Sequence, residues 1–495
     1  MEDQKDVEEA TIPASLSPDA LSLRSSSKRY VEFDTQDPLN PRQWPLSKRI
    51  GITALTTYST MVVTFASAIF ATAIPSLVRI HGVDREVVTL GVSLYVLGFA
   101  IGPVIWASFS ELKGRYLPFI ISVFGFTAFS FATAVSKDLT SILICRWFGG
   151  FFGAGPLTLA GPLYADMFVG KPFGISMVFF AFTVFMGPII AQPIGGFIVL
   201  NHSLGWKWTE YICGIMGAAA LVPLIFVLKE TYAPVILAKK AASMRKQTGD
   251  TSVIAQHEEI SISWQVILIE YVGLPLKMLV SDPIVLLMSL FGSFVYGLLY
   301  LFLVGYPVVF QKIHGMKPGV GGLPYLGLIV GEVFAVLAIF LMQPWIMKQA
   351  KKNGGIMMPE WQLPVAVPGA VAFSAGLFWY GWTGYRRDIH WIVPTLSGVL
   401  TGFGLLATFV PSISYLVQAR PERPASAIAA HTFLRSLFAS VFPLFASYMY
   451  DGIGVQWTST LLGCLAAVMV PVPIALYVYG PRIRAKGDLG SKESL

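Results

Sequence analysis

Long apolar stretches and short polar breaks alternate along almost the whole chain. After a polar opening of 49 residues, apolar runs lie at roughly 51–76, 87–109, 117–136, 139–161, 173–198 and 208–228. A polar middle follows, and six more runs come at 284–310, 323–345, 363–383, 391–416, 426–449 and 453–479. A helix needs about 20 apolar residues to cross the hydrocarbon of a bilayer, and every run is that long or close to it. The pattern predicts an all-α polytopic membrane protein with twelve transmembrane helices in two six-helix halves. Residues 1–49 show no apolar periodicity and are expected to be a disordered N-terminal tail. Residues 50–228 and 284–480 are then the two halves, 229–283 the loop that joins them, and 481–495 a short tail.

Composition sharpens this picture. Of 495 residues, 55% are hydrophobic and 13% charged, against about 25% charged in soluble proteins. So few charges cannot cover a soluble surface of this size, and the run count excludes a single-pass anchor or an outer-membrane barrel. The net charge of +7 is distributed by topology. With the N-terminus inside, 25 of the 35 Lys and Arg residues fall on the inner side and 8 on the outer side, while Arg146 and Arg435 lie within spans. This bias sets orientation. Both termini are expected in the cytoplasm, and the charge faces anionic lipid rather than nucleic acid.

Other chemistry is excluded. Cys145, Cys213 and Cys464 fall inside apolar runs, so no disulfide framework is expected. No Cys/His spacing suits zinc, and no metal site is expected. Gly170-Lys171 is followed by Pro172, unlike a phosphate-binding loop, which argues against a pump driven by ATP.

Several motifs carry more specific information. Ser110-Glu111-Leu112-Lys113-Gly114-Arg115 forms the polar turn after the second span. Gly114 permits a tight reversal, and Glu111 and Arg115 can pair with each other or with a neighbouring helix end, as a gate or as an ordinary charged loop. Gly149 and Gly153, one turn apart in the fourth span, are expected to let another helix approach. Gly187-Pro188 opens the stretch that runs on to Pro193, Gly195 and Gly196. Within it Gly187, Ala191 and Gly195 form a ladder of small residues suited to close helix contact. Gly114 to Pro118 opens the third span, and Glu360 to Pro364 opens the ninth, a faint echo between the halves.

Together these stretches resemble the major facilitator superfamily, in the form of the fungal twelve-span drug–proton antiporters. The resemblance rests on Asn40 to Pro45, the Glu111–Arg115 turn, Arg146 to Leu157 followed by Ala165 to Met167, Trp206 to Tyr211, Glu230 to Pro234, Pro359 to Trp361 and Thr432 to Ser436, and covers about 40–480. Two positions depart from that family's pattern. Tyr116 stands where a second basic residue is usual, and Ala191-Gln192 replaces the second Gly-Pro of the fifth-span signature. The resemblance implies the major facilitator fold and a role for Arg146 in proton coupling.

The charges inside the spans are the candidate chemistry. An intramembrane cation such as Arg146 is costly and points to function, with a structural arginine bonded to carbonyls as the alternative. Glu332 lies about 13–14 Å into the eighth span at 1.5 Å per residue, near the bilayer midplane. A carboxyl group there is what a proton-coupling site needs, with a structural hydrogen bond to a facing helix as the alternative. His431 and Arg435, at i and i+4, share one face of the eleventh span. Tyr296 and Tyr300 are spaced likewise in the seventh, and the four are candidates to line a substrate cavity.

The function these features imply is secondary active export of small amphipathic molecules (drugs, toxins or fungal secondary metabolites) against inward proton flow, by alternating access. The proton gradient is the energy source and no cofactor is expected. Expected partners are a small-molecule substrate, protons and the lipid bilayer, with no nucleic acid, and the protein is expected to act as a monomer. The cell membrane is the expected location, with the vacuolar membrane as the alternative. A polyamine–proton antiporter is the second reading, and an uptake permease or a polytopic membrane enzyme follow behind it.

Overall fold

A computed structural model of the chain describes residues 29–34, 37–250, 252–255, 273–420 and 423–492. Six helices form the first half: α1 (Leu46–His81), α2 (Arg85–Lys113), α3 (Tyr116–Val135), α4 (Leu139–Met167), α5 (Lys171–Leu200) and α6 (Lys207–Val227). The joining segment holds α7 (Ala233–Thr248) and α8 (Leu274–Ser281). In the second half come α9 (Pro283–Tyr306), α10 (Pro318–Gly322), α11 (Leu326–Lys352), α12 (Ala366–Gly384), α13 (Ile392–Ala419), α14 (Pro424–Met469) and α15 (Pro471–Lys492). A short turn at Leu323–Tyr325 joins α10 to α11, so the two make one crossing.

Eleven helical stretches among the described residues are long and apolar enough to cross a membrane. The last runs from Ser426 to Arg484, 59 residues, about three times the length that one crossing needs. Gly454 breaks it, with φ 78° and ψ 168°, a conformation that costs glycine little. The stretch therefore crosses twice, and the twelve expected spans are present. Large apolar side chains such as Phe124, Phe226 and Leu341 point outward and are 61%, 77% and 80% exposed. In water that surface would be unfavourable; in lipid it is solvated.

The interior is held by small residues and by hydroxyls that satisfy themselves. On α1, Thr56, Thr60 and Thr64 follow one another at i+4 and donate to the carbonyls of Ile52, Thr56 and Thr60 at 2.9, 3.0 and 3.1 Å. Bonding back into their own helix lets polar side chains face packed neighbours without an unmet donor. Across the halves, α14 packs along α2 and α5 packs against α10.

Two expected boundaries change. Residues 1–28, 35 and 36 lie outside the described residues, but the described part of the presumed disordered tail packs on the molecule. Arg29–Tyr30 pairs in parallel with Val253–Ile254, and Lys240 of α7 donates to Asp34 and Asp37 at 2.9 and 2.7 Å. Asn40 caps the turn Pro41–Gln43, and the Trp44 indole donates to Pro38 at 3.2 Å. This strap has no apolar period because its partners lie more than 200 residues away. At the other end, the final helix runs past the expected limit at 480 to Lys492.

Candidate functional site

The face of the bundle that carries the strap and α7 is called the tail face here, and the opposite one the far face. At the tail face the polar turn after α2 forms a compact network. Gly114 has φ 86°, and a Cβ there would fall on the Glu230 carboxylate. That carboxylate accepts the backbone N–H groups of Arg115 and Tyr116 at 2.7 and 3.2 Å, and so caps the start of α3. The Arg115 guanidinium donates to Ser110 at 2.6 Å and to Asp166 at 3.3 Å, and stacks 4.4 Å from the centre of the Tyr232 ring. Burial pushes the Tyr232 hydroxyl above its ordinary pKa; Arg115 opposes this, and Glu111 and Asp166 add to it. The turn thus ties together the ends of α2, α3, α4 and α6. Glu230 and Asp166 were not singled out from the sequence, though both lie in stretches whose family resemblance is evident.

Arg146 is 1% exposed and fully engaged. It donates to the carbonyls of Gly91 and Ala66 at 3.0 and 2.9 Å and to that of Ser67 at 3.4 Å. It also pairs with Glu210 at 3.4 Å and lies over the rings of Tyr95 and Phe70. Glu210, likewise 1% exposed, is a partner that no apolar pattern singles out. Its position in the first turn of α6 hides it, because only the packing of α6 on α1 and α3 brings it to Arg146 of α4. Arg146 therefore shows both candidate features together: an intramembrane ion pair and a set of structural carbonyl bonds.

The expected packing glycines differ in how closely other helices approach them. A Cβ on Gly187 or Gly195 would meet the Thr64 or Thr72 side chain of α1, and Gly153 adjoins Val63 and the Tyr95 hydroxyl. Pro188 is buried within α5. Gly149 has only ordinary contact with Tyr95, at 3.4 Å; the tighter approach belongs to its neighbour Gly150, whose Cβ would collide with the Tyr95 backbone. Gly196 faces the other half, with a Cβ position 2.5 Å from the Pro318 carbonyl and 2.9 Å from Gly319.

At the centre, the structure gathers the four cavity candidates into one cluster. Tyr300 shares a hydrogen bond of 2.8 Å with Ser67 of the first half and lies 3.4 Å from the Tyr296 hydroxyl. Arg435 lies over Tyr296 and Phe409, at 4.4 and 5.1 Å from the ring centres. His431 packs beside Phe409, its ring against Gly292. Phe185 of α5 closes the cluster from the first half, 5.7 Å from Tyr296 and 4.8 Å from Phe409.

The cluster is buried, and its members do not line a cavity that opens between the halves. That cavity, about 440 Å³, lies toward the far face. Its walls include Thr72, Arg79 and Arg85 from the first half, and Val304, Gln311 and Tyr325 from the second. Gln192, which stands where the family pattern has a proline, lines it and donates to Ala68 at 3.0 Å. Tyr296 and Tyr300 lie outside this cavity, whose wall on α9 is made by the far-face residues Leu303 and Val304.

Glu332 is fully buried on α11, and neither carboxyl oxygen has a hydrogen-bond partner among the described residues. Its neighbour Gly331 packs directly on the α13 backbone at Val399 and Phe403. Two further ion pairs stand at the tail face of the second half. Arg484 grips Glu360 through two bonds of 3.0 and 3.1 Å, and Arg420 pairs with Asp282.

Twelve crossings in two halves, a cavity between them and ion pairs at one face define a multi-pass membrane transporter. The chain belongs to the Major Facilitator Superfamily, whose sequence pattern matches residues 56–443. It is similar to the major facilitator superfamily multidrug transporter FLU1 of Candida albicans, 40% identical over 466 residues, or 94% of this chain and 76% of that one. The ascochitine biosynthesis cluster MFS transporter of Didymella fabae is 39% identical over 461 residues, 93% of this chain and 88% of the other. Among solved structures, the proton:xylose symporter XylE bound to 6-bromo-6-deoxy-D-glucose superposes with a TM-score of 0.62, covering 88% of this chain and 96% of that one. At 17% identity that likeness is one of fold alone.

Proposed function

We propose that the protein exports small amphipathic molecules, drugs or secondary metabolites, in exchange for protons. The observation that carries this reading is the cavity of about 440 Å³ between the halves. It is mostly apolar with a few polar side chains, the make-up of a small-molecule site. The names of the similar proteins, a multidrug transporter and a transporter of a biosynthesis cluster, support the same class. Residues 50–228 and 284–480 rock against each other as the two halves, and the chain works as a monomer. The excess of Lys and Arg puts the tail face in the cytoplasm, and the cell membrane is preferred over the vacuolar one.

Proton coupling is assigned to Glu332, with Arg146 and Glu210 as a second site in the other half. A buried carboxyl group without a bonding partner can exchange a proton when rocking exposes it to one side or the other, with no ion pair to break. Glu111, Gly114 and Arg115 form the tail-face latch. The test is uptake of a panel of amphipathic drugs into inside-out vesicles with an acid interior. Uptake that vanishes when the gradient is collapsed is expected. The Glu332→Gln variant should still bind drug and exchange it at equilibrium, yet lose at least about tenfold of gradient-driven uptake. Normal gradient-driven uptake by that variant would remove Glu332 from the mechanism.

A further inference from the structure

The two intramembrane arginines are in opposite situations. Arg146 is saturated by three carbonyls and a carboxylate. Arg435 is 6% exposed, yet its Nε has no hydrogen-bond partner, and no carboxylate among the described residues lies within ion-pair distance. Its contacts are two aromatic faces, Tyr296 and Phe409. An arginine has five N–H donors, and burying its charge without an anion is costly. About eleven residues into α14 it lies some 16 Å from the tail-face end of that helix, near mid-membrane. Phe185 reaches it from the other half through the rings of Tyr296 and Phe409. The cation thus sits behind aromatic rings that meet across the two halves, and a ligand would reach it as those rings part.

We propose that Arg435 binds the carboxylate of an organic acid whose aromatic body lies between Phe185, Tyr296 and Phe409. This deepens the export reading and rests on it. A carboxylate matches the guanidinium fork through two parallel bonds, and the flanking rings suit a flat apolar body. One turn before Arg435, both ring nitrogens of His431 also lack a partner, which leaves a further polar group for the ligand. The exit route agrees in sign. The far-face cavity is lined by Arg79, Arg85 and His202 and by no Asp or Glu. Such a wall draws anions outward and repels polycations, so the arrangement disfavours polyamines as cargo.

The experiment compares 2-naphthoate with its neutral match, 2-naphthamide, as ligands of the purified full-length protein by isothermal titration calorimetry. A charge-assisted pair predicts naphthoate binding at least about tenfold tighter than the amide. In Arg435→Gln the two affinities should become equal through loss on the naphthoate side alone. Arg435→Lys, which keeps the charge, holds the test open if the first variant does not fold, and should show a reduced preference. Equal affinities in the unaltered protein, no naphthoate binding up to millimolar concentration, or an unchanged preference in both variants would overturn the proposal. Because binding is read without a gradient, this result is separate from the vesicle assay. Neutral drugs pumped by a protein that ignores naphthoate would leave export standing and this inference gone.

Discussion

Single residues show how far an apolar background exposes chemistry. Arg146 and Glu332 stand out in the sequence because nothing polar surrounds them, and both are buried in the fold. Glu210 does not stand out: it occurs beside Trp208 and Tyr211 in a turn-like segment, and only the packing of α6 on α1 and α3 carries it inward. The pair makes a clear prediction. Glu210→Ala leaves Arg146 with a buried charge and no counter-ion, a change that costs about 3–5 kcal/mol. Glu210→Gln, which keeps an acceptor, should cost much less. Thermal melting of the detergent-solubilised variants checks both. Gly114→Ala is expected to be severely destabilising too, since its φ is positive and its Cβ would strike Glu230. Gly174→Ala, with nothing within 4 Å, is the matched control and should melt like the parent protein.

At the scale of elements, small residues decide which helices touch. The ladder Gly187, Ala191, Gly195 was legible from spacing alone, because i, i+4 periodicity places it on one face. Its partner was not: the threonines of α1 meet it only in three dimensions. The same holds for Gly150, which makes the closest approach in α4 although the more widely spaced Gly149 and Gly153 look like the motif. Gly196 marks where α5 meets the second half at the far face. Cysteines introduced at Gly196 and Gly319, in a background without Cys145, Cys213 and Cys464, should form a disulfide readily, detected by peptide mass spectrometry. Drug uptake should then fall to background and return on reduction, since rocking must separate these two positions. Full activity of the cross-linked protein would show that this contact persists through the cycle.

For the whole molecule, the faint echo between halves acquires a physical meaning. In the first half a carboxylate after the sixth span, Glu230, holds the start of the third. In the second half the start of the ninth span carries the carboxylate, Glu360, and the end of the twelfth supplies Arg484. The place is kept while the donor and acceptor change sides. The strap adds a link between residues 29–49 and α7. Lys240, with the Leu39 N–H, holds the Asp37 carboxyl below its ordinary value of 3.8. A depressed carboxyl contributes stability above the unfolded value, and this is lost as pH falls through the folded one. The strap should therefore stay closed at neutral pH and loosen only below about pH 4, seen as faster hydrogen exchange at 29–45. Asp37→Asn should loosen it at neutral pH. The number of spans was legible in the sequence itself, because solvation by lipid acts on each segment separately. Tertiary structure alone decided that Arg146 is paired and Arg435, among the described residues, is not, that Glu230 sits on Gly114, and that Asp37 meets Lys240 of α7. Each depends on which distant atoms become neighbours, and hydrophobic periodicity carries no record of that.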